Sequence, residues 1–292
     1  MENYSCQICN SQSFTKLFKQ SKYTFLRCAQ CDLVRLAPYP DADELDSHYA
    51  SRSEGGNYDL TKADERRFTL TKIFYRIDKE ATKINNSEGI KKILDLGCFD
   101  GALLDIAKEN GWDVYGLEFQ GSAVLIAQEK HGDNVRAGDL ETYSFSCPKQ
   151  FDVISALDVI EHLANPQRFL NIAFEGLKDG GILVLSTPNT ASMPCKLLGK
   201  YWPAWGAPEH IHYFSRKNLY LLLEKNGFHS IQIFRYIKHL RVSYVMDQLK
   251  IWGTRLYSKI RWLYPLVPMF VRRMRLSLYG GEMIVFARKG KS

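Results

Sequence analysis

Four cysteines near the start of the chain form two Cys-x-x-Cys pairs, Cys6 with Cys9 and Cys28 with Cys31. Two residues between cysteines let a tight turn aim both thiolates at one ion, and two such turns complete a tetrahedral zinc site. Four sulfurs leave no open position, so the ion implied is structural. A module this small has too little core of its own, and metal binding supplies folding free energy. Cys98, Cys147 and Cys195 show no ligand spacing. Further on, Pro208-Glu-His-Ile-His-Tyr-Phe-Ser215 places His210 and His212 two apart, on one face of an extended segment. Either imidazole could serve as a general base near neutral pH, or could pack against a helix starting near Ser215.

The elements that must position these groups are legible in outline. Lys91–Gly97 reads as a buried strand running into a Gly-rich turn, Gly97-Cys-Phe-Asp-Gly101, and then a helix, Ala102–Glu109. Strand, turn and helix together make a nucleotide-binding unit, in which Gly97 permits close approach of the ligand and Gly101 lets the helix begin tightly. A second strand, Gly111–Glu118, ends in an acid placed to accept hydrogen bonds from two ribose hydroxyls. A third precedes Gly138-Asp139-Leu140, where an acid can accept from an adenine amino group. Strands over Phe151–Leu157 and Gly180–Thr187, with a helix over Pro166–Leu177 between them, continue the alternation. That alternation predicts an α/β fold with a parallel sheet covered on both faces. Upstream, Asp41 would cap a short helix over Ala42–Tyr49, Gly55-Gly56 breaks the chain, and helical spacing runs from Leu60 to Ile84 before Asn85–Gly89 ends it.

Leu94–Gly101, Glu118, Gly138-Asp139, Asp158-Val-Ile-Glu-His162 and Leu177-Lys-Asp-Gly-Gly181, in that order and spacing, resemble the class I S-adenosylmethionine-dependent methyltransferases. The resemblance covers roughly residues 88 to 237, with a closing strand near 281–288. It implies a Rossmann-like, mostly parallel seven-stranded sheet and S-adenosylmethionine as methyl donor. On that pattern Asp95, Gly97, Cys98, Phe99 and Gly101 surround the methionine end, Glu118 with Phe119 the ribose, and Asp139 with Leu140 the adenine. Leu157, Asp158 and His162 complete the donor set. Phe99 stands where the family usually has a second glycine. An NAD-binding Rossmann domain is the rival, disfavoured by an incomplete G-x-G-x-x-G. The Asp158–His162 segment also resembles that of ubiquinone-biosynthesis O-methyltransferases, which implies that Asp158, Glu161 and His162 could hold a divalent cation. In relatives that use no metal, His162 is structural. The whole chain resembles the zinc-ribbon methyltransferases of bacterial polysaccharide and deoxysugar pathways. The residues carrying this are the cysteine pairs, Arg35-Leu-Ala-Pro-Tyr-Pro40, Ser47-His-Tyr49, and Thr187-Pro-Asn189 leading to His210–Ser215. O-methylation of a sugar, nucleotide sugar or lipid-linked glycan precursor is the activity this implies. A zinc-finger RNA methyltransferase and a donor-binding scaffold without turnover are the alternatives.

The expected organisation is a zinc ribbon (1–40), a helical linker (41–87), the donor-binding core (88–237) with a substrate insertion (188–214), a basic amphipathic helical cap (238–278), and a closing strand and tail (279–292). Within the insertion, Trp202 and Trp205 could form a wall for apolar or sugar contact. The chain of 292 residues is 45% hydrophobic and 24% charged, which suits a packed core. Its net charge of +7 is uneven. Residues 238–292 hold 12 of the 39 Lys and Arg but 2 of the 32 acids, leaving 27 basic against 30 acidic residues elsewhere. A basic segment mixed with aromatics and aliphatics over 251–278 could meet an anionic membrane, cap the substrate pocket, or be a solvated face. No apolar run reaches about 18 residues and the first ten are polar, so a cytoplasmic, at most membrane-peripheral, protein is expected.

Overall fold

The computed structural model describes residues 5–41, 44–45, 60–83, 89–119, 121–252, 258 and 261–290. Most of the expected helix over Ala42–Tyr49, the Gly55-Gly56 break and residues 85–88 lie outside the described residues. Three antiparallel strands open the chain: β1 (Phe14–Gln20), β2 (Tyr23–Cys28) and β3 (Val34–Ala37). Helix α1 (Leu60–Thr82) follows, burying Leu70, Ile73, Phe74, Ile77 and Ala81 at the three-and-four spacing of one helix face.

The next segments build the main sheet: β4 (Lys92–Leu96), α2 (Ala102–Glu109), β5 (Asp113–Glu118), α3 (Ser122–His131), β6 (Val135–Ala137), β7 (Phe151–Leu157), α4 (Pro166–Gly176) and β8 (Leu177–Pro188). Strands β4 to β8 are parallel where they pair, and their central members are runs of buried apolar residues, as a sheet covered on both faces requires. Two later strands, β10 (Phe228–Arg235) and β13 (Glu282–Lys289), complete it; β13 runs antiparallel to both β8 and β10. The order is β10-β13-β8-β7-β4-β5-β6. This is the mostly parallel seven-stranded Rossmann-like sheet. The chain passes from β4 to β5 on one side and returns to β7 on the other, which opens a crevice at the C-terminal ends of β4, β5 and β7.

The insertion after β8 forms α5 (Met193–Leu198) and a short strand β9 (His212–Tyr213), and helix α6 (Arg216–Lys225) begins at a capping box between Ser215 and Asn218. Strand β9 pairs with β3, giving a second sheet in the order β1-β2-β3-β9. The N-terminal strands and the insertion therefore share one sheet. Cys6, Ile8, Cys28, Cys31 and Leu33 also belong to the same apolar cluster as Phe214, Leu219 and Leu222, so this module packs directly on the large core.

Residues 238–278 differ from an all-helical cap. They enter as β11 (Lys238–Arg241) and leave as β12 (Arg275–Leu278), paired antiparallel, with α7 (Val242–Trp252) and α8 (Met269–Arg273) between. β11 follows β10 and β12 precedes β13, so the ribbon prolongs an existing antiparallel pair. Arg241 and Arg275 both reach the buried Glu65 carboxylate of α1, at 3.2 and 3.3 Å. Two of the basic residues that the sequence offers to a partner are thus structural.

Candidate active site

The turn after β4 is shaped by backbone conformation. Gly97 and Gly101 have φ of 76° and 77°, in the left-handed region. A Cβ on Gly97 would lie 2.6 Å from Val159 Cγ2, so the glycine also keeps this turn close to the end of β7. Phe99 has φ 53°: the residue that replaces the family's glycine adopts the glycine conformation, at a cost of about 1–2 kcal/mol. The Arg66 guanidinium lies over its ring at 4.6 Å and binds Asp100 at 2.5 Å. Glu118 accepts from the backbone N–H of Phe99 at 2.7 Å and of Phe119 at 2.9 Å, which joins the end of β5 to the turn. Asp95 is buried and accepts from the Ser155 hydroxyl at 2.7 Å. Burial pushes its carboxyl up to about 7, against the pull of Ser155 and Arg66.

Two members of the expected donor set turn their side chains away. Cys98 is fully buried beneath the turn against Gly116, and Leu140 belongs to the core cluster, so each can offer mainly its backbone to a ligand. Asp139 uses its carboxylate on the turn that follows, accepting from Glu141 N–H at 2.8 Å and the Thr142 hydroxyl at 3.3 Å. Phe99 and Phe119 are both exposed at the crevice.

Beyond β7, Asp158 takes φ 57° and is held by Ser186, whose hydroxyl donates to its Oδ1 at 2.6 Å. A 3₁₀ turn over Ile160–His162 follows. Glu161 is fully buried there, and among the described residues neither carboxylate oxygen has a well-formed hydrogen bond, although the Thr187 hydroxyl lies close enough to favour its charged form. Burial, with Asp158 nearby, raises its carboxyl well above the usual range. The backbone N–H of Ile211 donates to the Glu161 carbonyl at 2.9 Å, which draws the insertion onto this turn. The rings of His162 and His210 then meet edge to face at 4.7 Å. Ligand atoms of Glu161, His162 and His210 all lie within 4.8 Å of one another. The cation set expected at Asp158, Glu161 and His162 is corrected on this point: among the described residues His210 takes the place of Asp158, which Ser186 holds elsewhere. Burial, with His210 nearby, depresses His162 to about 4.

His210 and His212 do not act as a pair. His210 Nδ1 is 3.1 Å from the Ala204 carbonyl and can only donate to it, so the lone pair resides on Nε2. His212 is fully buried. Its Nδ1–H donates to the Leu163 carbonyl at 3.0 Å, and Nε2 accepts from the Tyr39 hydroxyl at 2.8 Å. Arg35 lies over the Tyr39 ring at 3.8 Å. Both nitrogens of His212 are thus engaged, and burial lowers it to about 4. Trp202 and Trp205 likewise form no ligand wall. Both are buried, with Trp205 packed edge-on against Phe25 and Tyr213, and their indole N–H groups donate to the carbonyls of Gly280 and Gly199.

Tyr236, Lys238 and Glu282 form a further group near enough to Asp158 to feel its charge, and sequence reasoning missed it. The Lys238 ammonium binds Glu282 at 2.6 Å. Burial alone would lower Lys238, but Asp158, Glu282 and Tyr236 hold it well above its usual value, while burial and Asp158 push the Tyr236 phenol up. Burial lowers the Arg66 guanidinium, and Asp95, Tyr236 and Asp158 act against that. These residues come from α1 and from the strands on the far side of the sheet, and no local motif marks them.

In the N-terminal module the sulfurs of Cys6 and Cys31 lie 3.4 Å apart and those of Cys9 and Cys28 3.5 Å. All four are within 4.8 Å and none is disulfide-bonded. Tetrahedral zinc with bonds of about 2.3 Å sets sulfurs roughly 3.8 Å apart, so the cluster suits that ion.

Residues 63–233, more than half of the chain, match the family described as Methyltransferase domain. Among curated proteins, the chain is 30% identical over 112 residues to a ubiquinone biosynthesis O-methyltransferase of Idiomarina loihiensis, covering 36% of this chain and 46% of that protein. It is 31% identical over 150 residues to one from Cereibacter sphaeroides, covering 47% and 59%. The chain spans about half the length of these relatives. Among solved structures, an S-adenosylmethionine-dependent methyltransferase from Archaeoglobus fulgidus is similar in fold (TM-score 0.51, 19% identity, 80% of this chain and 99% of that one). So is the YcgJ protein of Bacillus subtilis (TM-score 0.50, 16% identity, 75% and 100%). Family match and seven-stranded sheet agree, and the chain belongs to the methyltransferase-domain family, with the class I S-adenosylmethionine-dependent fold.

Proposed function

We propose that the protein transfers the methyl group of S-adenosylmethionine to a hydroxyl of a sugar, a nucleotide sugar or a lipid-linked glycan precursor. The observation that supports a base beside the donor crevice is the hydrogen-bonded seam from Ile211 to Glu161, which brings His210 of the insertion to the end of β7; the acceptor class rests on the whole-chain resemblance to the zinc-ribbon methyltransferases. The donor supplies an electrophilic methyl when bound. Asp95, the turn 97–101 and Glu118 would hold and orient it. His210 would take the acceptor's hydroxyl proton at Nε2, leaving the oxygen free to accept the methyl. Alignment of this kind can supply several kcal/mol of the barrier, roughly 7–11 at most. In this reading the zinc-bearing module frames the acceptor side, because its β3 strand pairs with the insertion.

A second reading is metal-assisted methylation. It is favoured by the buried carboxylate of Glu161, which lacks a well-formed hydrogen bond among the described residues and with His162 and His210 offers two imidazoles and one carboxylate to a divalent ion. Such an ion would lower the acceptor hydroxyl's pKa. The test is transfer of labelled methyl from S-adenosylmethionine to nucleotide sugars, to a glycolipid fraction, to ubiquinone precursors, the pathway that the relatives' name gives, and to RNA. Label in the first two supports the reading. Label confined to ubiquinone precursors or to RNA overturns the acceptor class. Activity of the zinc-loaded protein that needs added Mg²⁺ or Mn²⁺ selects the metal-assisted form.

A further inference from the structure

Between Asp247 and Glu282 the chain holds seven Lys and Arg and no acid, and of the seven Arg275 is already paired with Glu65. Within the described part of that stretch, large apolar side chains stand in solvent: Trp262 is 67% exposed, Leu266 74%, Met269 60% and Phe270 69%, with Leu263, Met274 and Leu276 also exposed. Arg261 and Arg273 are exposed among them. A second run has the same character. Between Asp179 and Glu209 there is again no acid, and Met193, Leu197, Leu198 and Tyr201 are exposed alongside Lys196 and Lys200. Its end is fastened to the end of the first run: Trp202 donates to the Gly280 carbonyl at 2.8 Å, and the Asn189 N–H to the Gly281 carbonyl at 2.9 Å.

Exposed apolar groups of this number mark an interaction surface. Charge selects the partner. A second copy of the chain would set cations against cations. RNA would satisfy the charge and could stack on Trp262 and Phe270, but bases do not stack on Leu263, Leu266, Met269, Met274 and Leu276. Hydrocarbon does accept those side chains, and anionic headgroups accept the arginines and lysines. We propose that residues 261–276, with the run 193–201 beside their far end, form a docking surface for an anionic lipid bilayer. No helix among the described residues is long and apolar enough to cross a membrane, so the contact is peripheral. The docking does not depend on which hydroxyl is methylated.

The test is flotation of the full zinc-loaded chain with vesicles of phosphatidylcholine alone and of phosphatidylcholine mixed with phosphatidylglycerol. Binding to the mixed vesicles is expected, weakening as salt rises. An Arg261→Gln/Arg273→Gln variant should bind on the order of 20-fold more weakly, since each cation near an anionic leaflet contributes about a factor of five. Leu266→Ser/Phe270→Ser should bind more weakly too, with an unchanged circular dichroism spectrum; both pairs are exposed, so the fold tolerates them. Absence of flotation with the mixed vesicles at low salt overturns the proposal. So does wild-type binding by both variants, displacement of vesicles by RNA, or a solution dimer that Leu266→Ser/Phe270→Ser abolishes.

Discussion

The carbonyl of Ala204 sets which nitrogen of His210 carries its proton, and that choice gives the most direct test of the proposed chemistry. His210→Ala should lower kcat by about 10²- to 10⁴-fold, the usual contribution of a general base. Affinity for S-adenosylhomocysteine by calorimetry should be unchanged. Near-normal turnover removes His210 from the mechanism. On the donor side, Gly97→Ala places a Cβ against Val159 in a left-handed backbone position. Donor affinity should fall by at least about tenfold, the backbone strain alone being on the order of 1 kcal/mol. Val159→Ala in the same chain should restore part of the loss, because it removes the clash and leaves the strain; no restoration would mean that the clash is irrelevant. At this scale, residue type and spacing disclosed the left-handed glycines of the turn and the clustered cysteines. They did not disclose that Phe99 takes a glycine conformation under Arg66, because the compensating guanidinium comes from a helix 33 residues earlier.

Strand β9 joins the insertion after β8 to the cysteine-bearing module, by pairing with a strand, β3, that lies more than 170 residues earlier. The four sulfurs fasten the turns that flank β1–β3, and β3 carries β9. Zinc binding should therefore stabilise the acceptor side of the site more than the donor side. Metal analysis should find one zinc per chain. Removal by a strong chelator should raise the acceptor KM several-fold while the donor Kd changes little. An equal loss of both, or retention of full activity without zinc, refutes this division of labour. The parallel strands and α2 could be recognised from hydrophobic runs alone, since a sheet covered on both faces leaves little choice of residue. The ribbon β11–β12 could not. Its four-residue strands are half-exposed, and they exist because β10 and β13 already lie side by side.

His212 joins three parts of the molecule: Tyr39 from the N-terminal module, Leu163 from the turn after β7, and its own strand in the insertion. Its burial has a consequence for the whole protein. The folded pKa, about 4, is depressed below the ordinary 6.5. Between these values the unfolded chain binds a proton that the folded chain does not, so stability is full above about 6.5 and declines as pH falls towards 4. The shift corresponds to about 3 kcal/mol at most. The urea midpoint should therefore drop between pH 7 and pH 5, and His212→Gln should flatten that dependence while lowering stability at pH 7. An unaltered pH dependence in the variant would show that His212 does not carry it. Glu161 works in the opposite sense, since its raised carboxyl favours the protonated form and costs stability as pH rises through its folded pKa. Taken by itself, the sequence determined the fold class, the Gly-rich turn after β4 and the four-sulfur cluster. Each depends on contacts short in sequence or on hydrophobic periodicity, which one segment can express. Tertiary structure alone decided that His210 sits beside His162, that His212 is a buried strut, that Trp202 and Trp205 are core, and that Tyr236, Lys238 and Glu282 gather near Asp158. Those outcomes depend on which strand edge the insertion found to pair with, and on which side chains the closing strand brought across the sheet. No local pattern encodes a choice made between distant segments.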